Sequence, residues 1–423
     1  MTSTKFLEEL AELIYSHTRP LDNNLASITL ENGETLAIND ARASIEKQSI
    51  IALALRNCEL RELPASLGEL SKLQILDLTG NRLTALPASL AKLRELKKIY
   101  LDANQFAIFP AVLTELTAEI YLDHNLLAAL PEQLAQMKKL RTLYVYNNRL
   151  AMLPTSISEL KHLQTCSVGN NRLTSLPETL WQLTALESLN VAENQLTAIS
   201  ERIGDLTQLR MLDLGHNKLT DLPTSLGALT NLTNYLYLSN NFLTSLPDSL
   251  TNLTQLLYLN ITDNQLTVLP KNIGNLSSLI EFRLYNNQLT ALPASLGNLT
   301  NLLELHAQNN SLTTLPGSIG ALTKLKKLDL SSNKLTVLPE QIGNLTSLAH
   351  LDLRNNSLTS LTEQIGALPH LRYLDLRANQ LTTLPDSIRK LTKLEKLDLR
   401  WNKLYLLPEW LQQLEQQGCV IFR

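Results

Sequence analysis

Cysteine, long apolar runs and excess charge are all scarce in this chain. It has three cysteines among 423 residues and a formal net charge of -3, and it lacks any apolar stretch of about 18 residues. A disulfide-stapled domain needs many cysteines, a membrane-spanning helix needs such a stretch, and a nucleic-acid binder carries a basic face. The composition argues against all three classes, so we expect no membrane span and no nucleic-acid partner.

The sequence also lacks the motifs on which many catalytic and cofactor sites are built. Its 14 glycines occur singly, so no glycine-rich loop is available to hold a phosphate. There is no Cys-x-x-Cys pair and no His-Glu-x-x-His sequence, the spacings typical of metal sites. We therefore predict a protein that is not an enzyme and has no catalytic residue, cofactor or metal site.

A 23-residue period dominates what is present. One copy contains Leu256, Leu259, Ile261, Asn264 and Pro270, and sixteen copies can be aligned on the asparagine position. That position is occupied by Cys58, Asn81, Asn104, Asn125, Asn148, Asn171, Asn194, Asn217, Asn241, Asn264, Asn287, Asn310, Asn333, Asn356, Asn379 and Asn402. A fixed period of this length marks a solenoid, in which each unit buries its apolar face against its neighbours.

The residue types predict the structure of one repeat. Leu256, Leu259 and Ile261 alternate as in a short strand and point inward. The Asn264 amide is expected to bond to backbone groups of its own and neighbouring turns, which would otherwise be buried without partners. Pro270 fixes φ and removes a donor, so the return segment should be extended or form a short helical turn, with no long α-helix.

This pattern resembles the leucine-rich repeat family, and its Leu-Pro-x-x-Ile-Gly segment is similar to the intracellular Ras-group and related bacterial repeats. The resemblance implies an α/β solenoid, a horseshoe of about sixteen short parallel strands on a concave face, with an irregular or short helical convex side. The resemblance covers residues 51 to about 410, and we expect the solenoid to span residues 51–408. Members of this family mostly bind proteins, so the resemblance implies a protein partner without naming it.

The two ends do not fit the repeat. In residues 1–50, Phe6 and Leu10 have helical spacing over 4–16, and Asn32-Gly33 is flanked by alternating apolar residues, which is typical of a hairpin. Residues 409–423 predict a short helix and a final strand. We expect both segments to cap the open ends of the solenoid, although the N-terminal segment could instead bind a partner.

The cysteines and the first ten residues indicate in which cellular compartment the protein is expected. Cys58 and Cys166 lie five repeats apart, too far to form a disulfide at about 4.8 Å per strand. Residues 1–10 lack the apolar core of a secretion signal. Reduced thiols and a cytoplasmic location are the expectation.

Each repeat exposes four strand-face positions, which lie six, four, two and one residues before its asparagine. These positions make up 64 of the 423 residues yet hold nine of the eleven tyrosines. The nine are Tyr100, Tyr121, Tyr144, Tyr146, Tyr235, Tyr237, Tyr258, Tyr285 and Tyr373. Tyrosine is enriched in interfaces, but tyrosines in one column can also stabilise each other by stacking. Binding and self-stacking are both open.

A second pattern lies near the C-terminus, where Arg354, Arg377 and Arg400 form one column beside a column of aspartates. The arginines either pair with these aspartates or receive acidic side chains of a partner. Trp401, beside them, either anchors a ligand or packs against the C-terminal cap. We include all four residues among the predicted ligand-binding residues of the concave face.

The first prediction for function is a non-enzymatic scaffold or adaptor that binds a protein on its concave face. The alternative is a receptor-like binder of glycans or cell-wall fragments, because stacked tyrosines suit sugar rings. The absence of a visible export signal counts against that alternative.

Overall fold

The computed structural model describes residues 6, 9–10, 26–30, 35–37 and 49–423. These residues divide into two compact units, unit 1 (Met1–Leu196) and unit 2 (Thr197–Arg423). All sixteen predicted repeat strands are present, seven in unit 1 and nine in unit 2. Within the described residues, no helix has the length and apolarity that crossing a bilayer requires.

The described residues of unit 1 form nine strands. They are β1 (Ala26–Leu30), β2 (Thr35–Ala37), β3 (Ile50–Leu55), β4 (Ile75–Asp77), β5 (Lys98–Tyr100), β6 (Glu119–Tyr121), β7 (Thr142–Tyr144), β8 (Thr165–Ser167) and β9 (Ser188–Asn190). Strand β1 pairs antiparallel with both β2 and β3. From β3 to β9, each strand pairs in parallel with the next.

Unit 2 contains ten strands, each parallel to the next. They are β10 (Met211–Asp213), β11 (Tyr235–Tyr237), β12 (Tyr258–Asn260), β13 (Glu281–Arg283), β14 (Glu304–His306), β15 (Lys327–Asp329), β16 (His350–Asp352), β17 (Tyr373–Asp375), β18 (Lys396–Asp398) and β19 (Val420–Phe422). The predicted short helix before the last strand is α1 (Trp410–Gln416). Its Trp410, Leu411 and Leu414 are buried.

In fifteen of the sixteen repeats the return segment contains a 3-10 helix of three to five residues, which agrees with the short helical turn predicted from the prolines. In the last repeat the return segment contains α1 instead. In unit 1 these helices are Ala65–Glu69, Ala88–Lys92, Ala111–Glu115, Glu132–Gln136, Thr155–Glu159 and Glu178–Gln182. In unit 2 they are Glu201–Asp205, Thr224–Ala228, Asp248–Asn252, Ile273–Asn275, Ala294–Asn298, Gly317–Ala321, Glu340–Asn344, Glu363–Ala367 and Asp386–Lys390.

Proline precedes most of these helices because its fixed φ suits the extended residue before a helix and it needs no hydrogen-bond acceptor. Two repeats have Ser200 and Thr362 at this position instead. There the hydroxyl accepts a hydrogen bond from the backbone N–H of Arg202 at 3.2 Å and of Gln364 at 3.3 Å. The side-chain cap thus satisfies an N–H that would otherwise have no partner.

The core consists of the inward leucines and the asparagine column. Leu256, Leu259 and Ile261 are 0% exposed, and Asn264 is 8% exposed. The Asn264 Nδ2 donates to the carbonyls of Ile261 and Thr262 in its own turn and Leu238 in the preceding repeat. The predicted role of the asparagine column, bonding to otherwise unpaired backbone, is confirmed.

The residue before each asparagine is in the left-handed region, which the sequence did not predict. In unit 2 these residues include Asn240 (φ 55°), Asp263 (φ 53°) and Trp401 (φ 59°). Unit 1 shows the same geometry, with Gly80 at φ 72°. The fourth strand-face position is therefore part of a turn, and asparagine is common there because it tolerates left-handed geometry better than most residues.

The predicted N-terminal segment is described only in part. Phe6, Glu9 and Leu10 are helical, while the rest of the predicted helix over 4–16 lies outside the described residues. Strands β1 and β2 pair with Ile28 opposite Leu36, as the hairpin prediction requires. The Asn32-Gly33 turn itself lies outside the described residues.

Candidate binding surface on the strand face

The strand face of unit 1 carries a stack of three tyrosines. Strand pairing places Tyr100 beside Tyr121 and Tyr121 beside Tyr144. The ring centroids are 4.5 Å apart in the first pair and 5.0 Å in the second, with interplanar angles of 22° and 10°. The inner ring faces are therefore occupied by neighbouring rings, which is the self-stacking arrangement.

Tyr146 lies one column away and makes different contacts. Its ring meets the His124 ring edge-on at 5.8 Å. Its hydroxyl donates to Glu193 Oε1 at 2.8 Å, across two repeats. Tyr146 is thus fixed by polar contacts and lies outside the tyrosine stack.

The tyrosine cluster of unit 2, composed of Tyr235, Tyr237 and Tyr258, is packed less regularly. Tyr235 and Tyr237 lie 4.6 Å apart with a tilt of 34°, and Tyr237 meets Tyr258 at 5.2 Å with an angle of 69°. The Arg283 guanidinium lies 5.5 Å from the Tyr258 ring centre. All four side chains are partly exposed, so this surface presents ring edges, hydroxyls and one cation together.

Burial sets the protonation of these hydroxyls. It raises the pKa of Tyr237 and Tyr258 above the ordinary range, although the nearby Arg283 guanidinium opposes the shift. In unit 1 burial and the neighbouring Glu119 carboxylate raise the pKa of Tyr121. These tyrosines therefore remain neutral at physiological pH and can donate hydrogen bonds to a ligand.

Tyr285 borders the cluster and lies close enough to Tyr258 and Arg283 to interact with both electrostatically. Tyr373 lies elsewhere on the strand face of unit 2. Tyr373 stacks on His350 with centroids 4.4 Å apart and an angle of 12°. This pair lines a shallow pocket of about 200 Å³ together with Lys327, Asp329, Asp352 and Lys396.

The arginine column is neutralised by the adjacent aspartates, the first of the two arrangements that the sequence left open. Arg377 Nη2 lies 2.7 Å from Asp375 and its Nε lies 3.3 Å from Asp398. Arg400 Nη2 lies 2.6 Å from Asp398. Burial favours the neutral acid, yet the Arg400 hydrogen bonds hold the pKa of Asp398 below its usual range. Arg354 is more loosely paired, at 3.4 Å from Asp352.

Trp401 does not pack into the core. It is 72% exposed, and the Arg400 guanidinium lies 5.5 Å from its ring and 4.9 Å from the Phe422 ring. The contact with the C-terminal segment is therefore made by Arg400, and the indole of Trp401 projects into solvent.

Two aspartates of the strand face, Asp123 and Asp352, have raised pKa values because burial disfavours their ionised forms. Burial raises the pKa of Asp123 to about 6, against a hydrogen bond that its carboxylate accepts from the Tyr146 N–H. Burial and the neighbouring Asp329 raise the pKa of Asp352 to about 6. In both cases burial opposes ionisation of the carboxyl group more strongly than its hydrogen bonds and neighbouring charges favour it.

The structure also brings together three residues that the sequence prediction did not include. Glu281, Glu304 and His306 offer ligand atoms within 4.8 Å of one another. His306, expected on the exposed strand face, is only 7% exposed. A signal was present, since Glu281 and Glu304 lie one 23-residue period apart and His306 follows on the same face.

Models of leucine-rich repeats match most of the chain. A leucine-rich repeat region model matches residues 52–148, 129–234, 192–308 and 245–336. Models described as leucine rich repeat and as leucine rich repeats in two copies match residues 346–404 and 323–366. No curated protein matches the chain in sequence.

Solved structures agree. A leucine-rich repeat protein of Leptospira interrogans, LIC12759, is 37% identical, with a TM-score of 0.81 over 87% of this chain and 94% of that one. The plant peptide hormone receptor RGFR1, solved in complex with RGF2, is 29% identical over 86% of this chain and 68% of that one, with a TM-score of 0.68.

A third similar structure is the ectodomain of GASSHO1/SCHENGEN3 from Arabidopsis thaliana, in complex with Casparian strip integrity factor 2. It is 27% identical over 86% of this chain and 57% of that one, with a TM-score of 0.52. The repeat models and these similarities show that the chain belongs to the leucine-rich repeat family.

Proposed function

We propose that this protein is a non-enzymatic scaffold that binds an extended segment of a partner protein along its strand face. The observation that carries the proposal is the tyrosine cluster of unit 2. Tyr235, Tyr237 and Tyr258 with Arg283 combine two of the three residue types that are enriched at energetic hot spots of interfaces, tyrosine and arginine. These residues lie on strands of a sheet, so their backbone is already ordered and little conformational entropy is lost when a partner binds.

Ring geometry favours unit 2 over unit 1 as the principal site. In unit 1 the faces of Tyr100, Tyr121 and Tyr144 are used against each other. In unit 2 the 34° and 69° angles leave ring faces and edges for a ligand. An aromatic ring accepts an apolar side chain or a cation on its face, and its hydroxyl bonds to a peptide carbonyl.

The similar structures support a peptide-like partner. RGFR1 was solved with RGF2, and the GASSHO1/SCHENGEN3 ectodomain was solved with Casparian strip integrity factor 2. For this chain the strand-face aspartates with raised pKa values, Asp123 and Asp352, favour a partner segment that contains lysine or arginine.

We place the scaffold in the cytoplasm as part of the same proposal. Cys58, Cys166 and Cys419 are buried thiols outside any disulfide bond. Free thiols are typical of compartments that keep cysteine reduced.

The test uses peptides selected against the full chain from a phage-displayed random library. The affinity of the best peptide is measured by fluorescence anisotropy for wild type and for the double variant Tyr235→Ala/Tyr258→Ala. We expect a loss of about 2 kcal/mol or more, roughly thirtyfold in Kd. The fold should remain intact, because the variant loses two ring pairs and the free energy of unfolding should fall by only about 1–3 kcal/mol in total.

Two matched variants complete the design. Val268→Ala removes an apolar side chain that is 59% exposed on the loop after the strand, and it should leave the Kd unchanged. Tyr144→Ala/Tyr146→Ala tests unit 1 and should weaken binding less than the unit 2 variant. If both tyrosine double variants bind every selected peptide like wild type, the strand-face proposal is wrong.

A further inference from the structure

Two neighbouring strands of unit 2 bring a histidine and two glutamates to one point. Parallel pairing of β13 with β14 places Glu281 beside Glu304 and Arg283 beside His306. The His306 Nε2 lies 2.9 Å from Glu304 Oε2 and 3.8 Å from Glu281 Oε1. The imidazole is therefore flanked by both carboxylates on the strand face.

We propose that Glu281, Glu304 and His306 form a binding site for a divalent transition-metal ion, with zinc as the favoured ion. Imidazole nitrogen and carboxylate oxygen are both zinc ligands, at about 2.0–2.2 Å from the metal. Tetrahedral ligand atoms at that distance lie about 3.3 Å apart. The observed separations of 2.9 and 3.8 Å bracket this value. Small side-chain rotations would therefore place the three ligand atoms around one zinc ion.

The burial of His306 supports a fixed ligand. Its side chain is 9% exposed, so the ring has little rotational freedom and is already ordered before an ion arrives. Gln308, two residues further along the same face, has a buried carboxamide oxygen without a hydrogen-bond partner in the described part of the chain. Three protein ligands leave one position of a tetrahedral ion open to water or to a ligand.

The imidazole decides which ion is favoured. Calcium and magnesium prefer sites made only of oxygen ligands, whereas imidazole suits zinc, copper, iron and nickel. Among these ions, zinc has no geometric preference from d-electrons and accepts a mixed nitrogen and oxygen set. The site should therefore bind zinc in the presence of excess calcium.

One cation of the protein competes with the proposed ion. Arg283 Nε lies 2.5 Å from Glu281 Oε1. Zinc must therefore share the Glu281 carboxylate with the Arg283 guanidinium or displace the guanidinium. Because of this competition, two kinds of substitution should change the zinc affinity in opposite directions. Removal of the guanidinium in Arg283→Gln should tighten zinc binding, whereas removal of a ligand should weaken it.

The experiment is isothermal titration of zinc chloride into the full chain in a non-chelating buffer, with and without excess calcium chloride. We expect one zinc per chain at the proposed site. Glu281→Gln, Glu304→Gln and His306→Ala should each lose about tenfold or more in affinity, since even residues that only support metal ligands have effects of that size. Arg283→Gln should gain affinity.

Control variants separate loss of a zinc ligand from a general effect of the substitution on the protein. His350→Ala removes another strand-face histidine, one that stacks on Tyr373, and should leave the zinc affinity unchanged. The two Glu→Gln variants are nearly isosteric, so they remain informative if His306→Ala does not fold. The proposal is overturned if wild type binds no stoichiometric zinc, if calcium displaces it, or if the glutamine variants bind zinc like wild type.

Discussion

The side-chain amide of Asn264 donates a hydrogen bond to the carbonyl oxygen of Leu238, 26 residues earlier in the preceding repeat, at 2.9 Å. Its Oδ1 accepts a hydrogen bond from the backbone N–H of Leu243 at 3.0 Å. One buried side chain thus satisfies a donor and an acceptor of the neighbouring repeat. Asn287 makes the equivalent bonds with Ile261 and Leu266.

Loss of this amide should destabilise the repeats. Asn264→Ala or Asn287→Ala leaves buried backbone groups without partners, at roughly 3 kcal/mol for each variant. The urea midpoint measured by circular dichroism should fall for both variants. Asn298→Ala is the control, because Asn298 is exposed at the end of a 3-10 helix. Unchanged midpoints for Asn264→Ala and Asn287→Ala would mean that the amides are dispensable.

The glycine of the Ile-Gly pair is required by close approach of two repeats. A Cβ on Gly274 would lie 1.9 Å from the Ser295 carbonyl oxygen, so Gly274→Ala must push backbone apart. We expect a loss of roughly 1–3 kcal/mol, the usual cost of overpacking. Gly317→Ala is matched to it, because its nearest neighbour is the flexible Gln341 side chain at 3.2 Å. Equal melting temperatures for the two variants would show that Gly274 is not needed for close packing of the two repeats.

The charge on Asp123 should make stability depend on pH. Its folded pKa of about 6 lies above the unfolded value of about 3.9, so this group favours folding at low pH and loses that contribution as pH rises through about 6. Asp123→Asn should therefore raise stability at pH 7 by roughly 1 kcal/mol, a value reduced for partial solvent screening.

The measurement is urea denaturation at pH 5 and pH 7. In wild type, ionised Asp123 should lower the free energy of unfolding at pH 7 relative to pH 5. In Asp123→Asn the contribution of this residue to that decrease should be absent. Glu115→Gln, an exposed carboxylate of the same unit, should keep the wild-type profile. A variant no more stable than wild type at pH 7 would show that burial of Asp123 is not costly.

The sequence predicted the strands and short, non-α-helical return segments because their causes are local or periodic. Leu256, Leu259 and Ile261 repeat every 23 residues, and proline marks where each strand segment must end. The left-handed residue before each asparagine was not predicted, because Trp401 and Ala378 have no such preference themselves. Their φ values of 59° and 52° are imposed by the turn that places the asparagine in the core.

Tyrosine positions on the strand face were predictable in the same way, but their ring geometry was not. The columns alone do not distinguish the 10° stack of Tyr121 on Tyr144 from the 69° contact of Tyr237 with Tyr258. The second pair joins two columns, so its angle depends on side-chain packing between strands. The burial of His306 depends in the same way on neighbours from adjacent repeats.

The proposed partner segment lies against the tyrosine cluster of unit 2. Its position can be tested by introducing the photo-crosslinker p-benzoylphenylalanine at position 258, and separately at position 268 as a control, and irradiating each variant with the selected peptide. Mass spectrometry then locates the crosslinks. We expect an efficient crosslink from position 258 and none from position 268. A tightly bound peptide that crosslinks only from position 268 would show that the partner segment does not lie against the cluster.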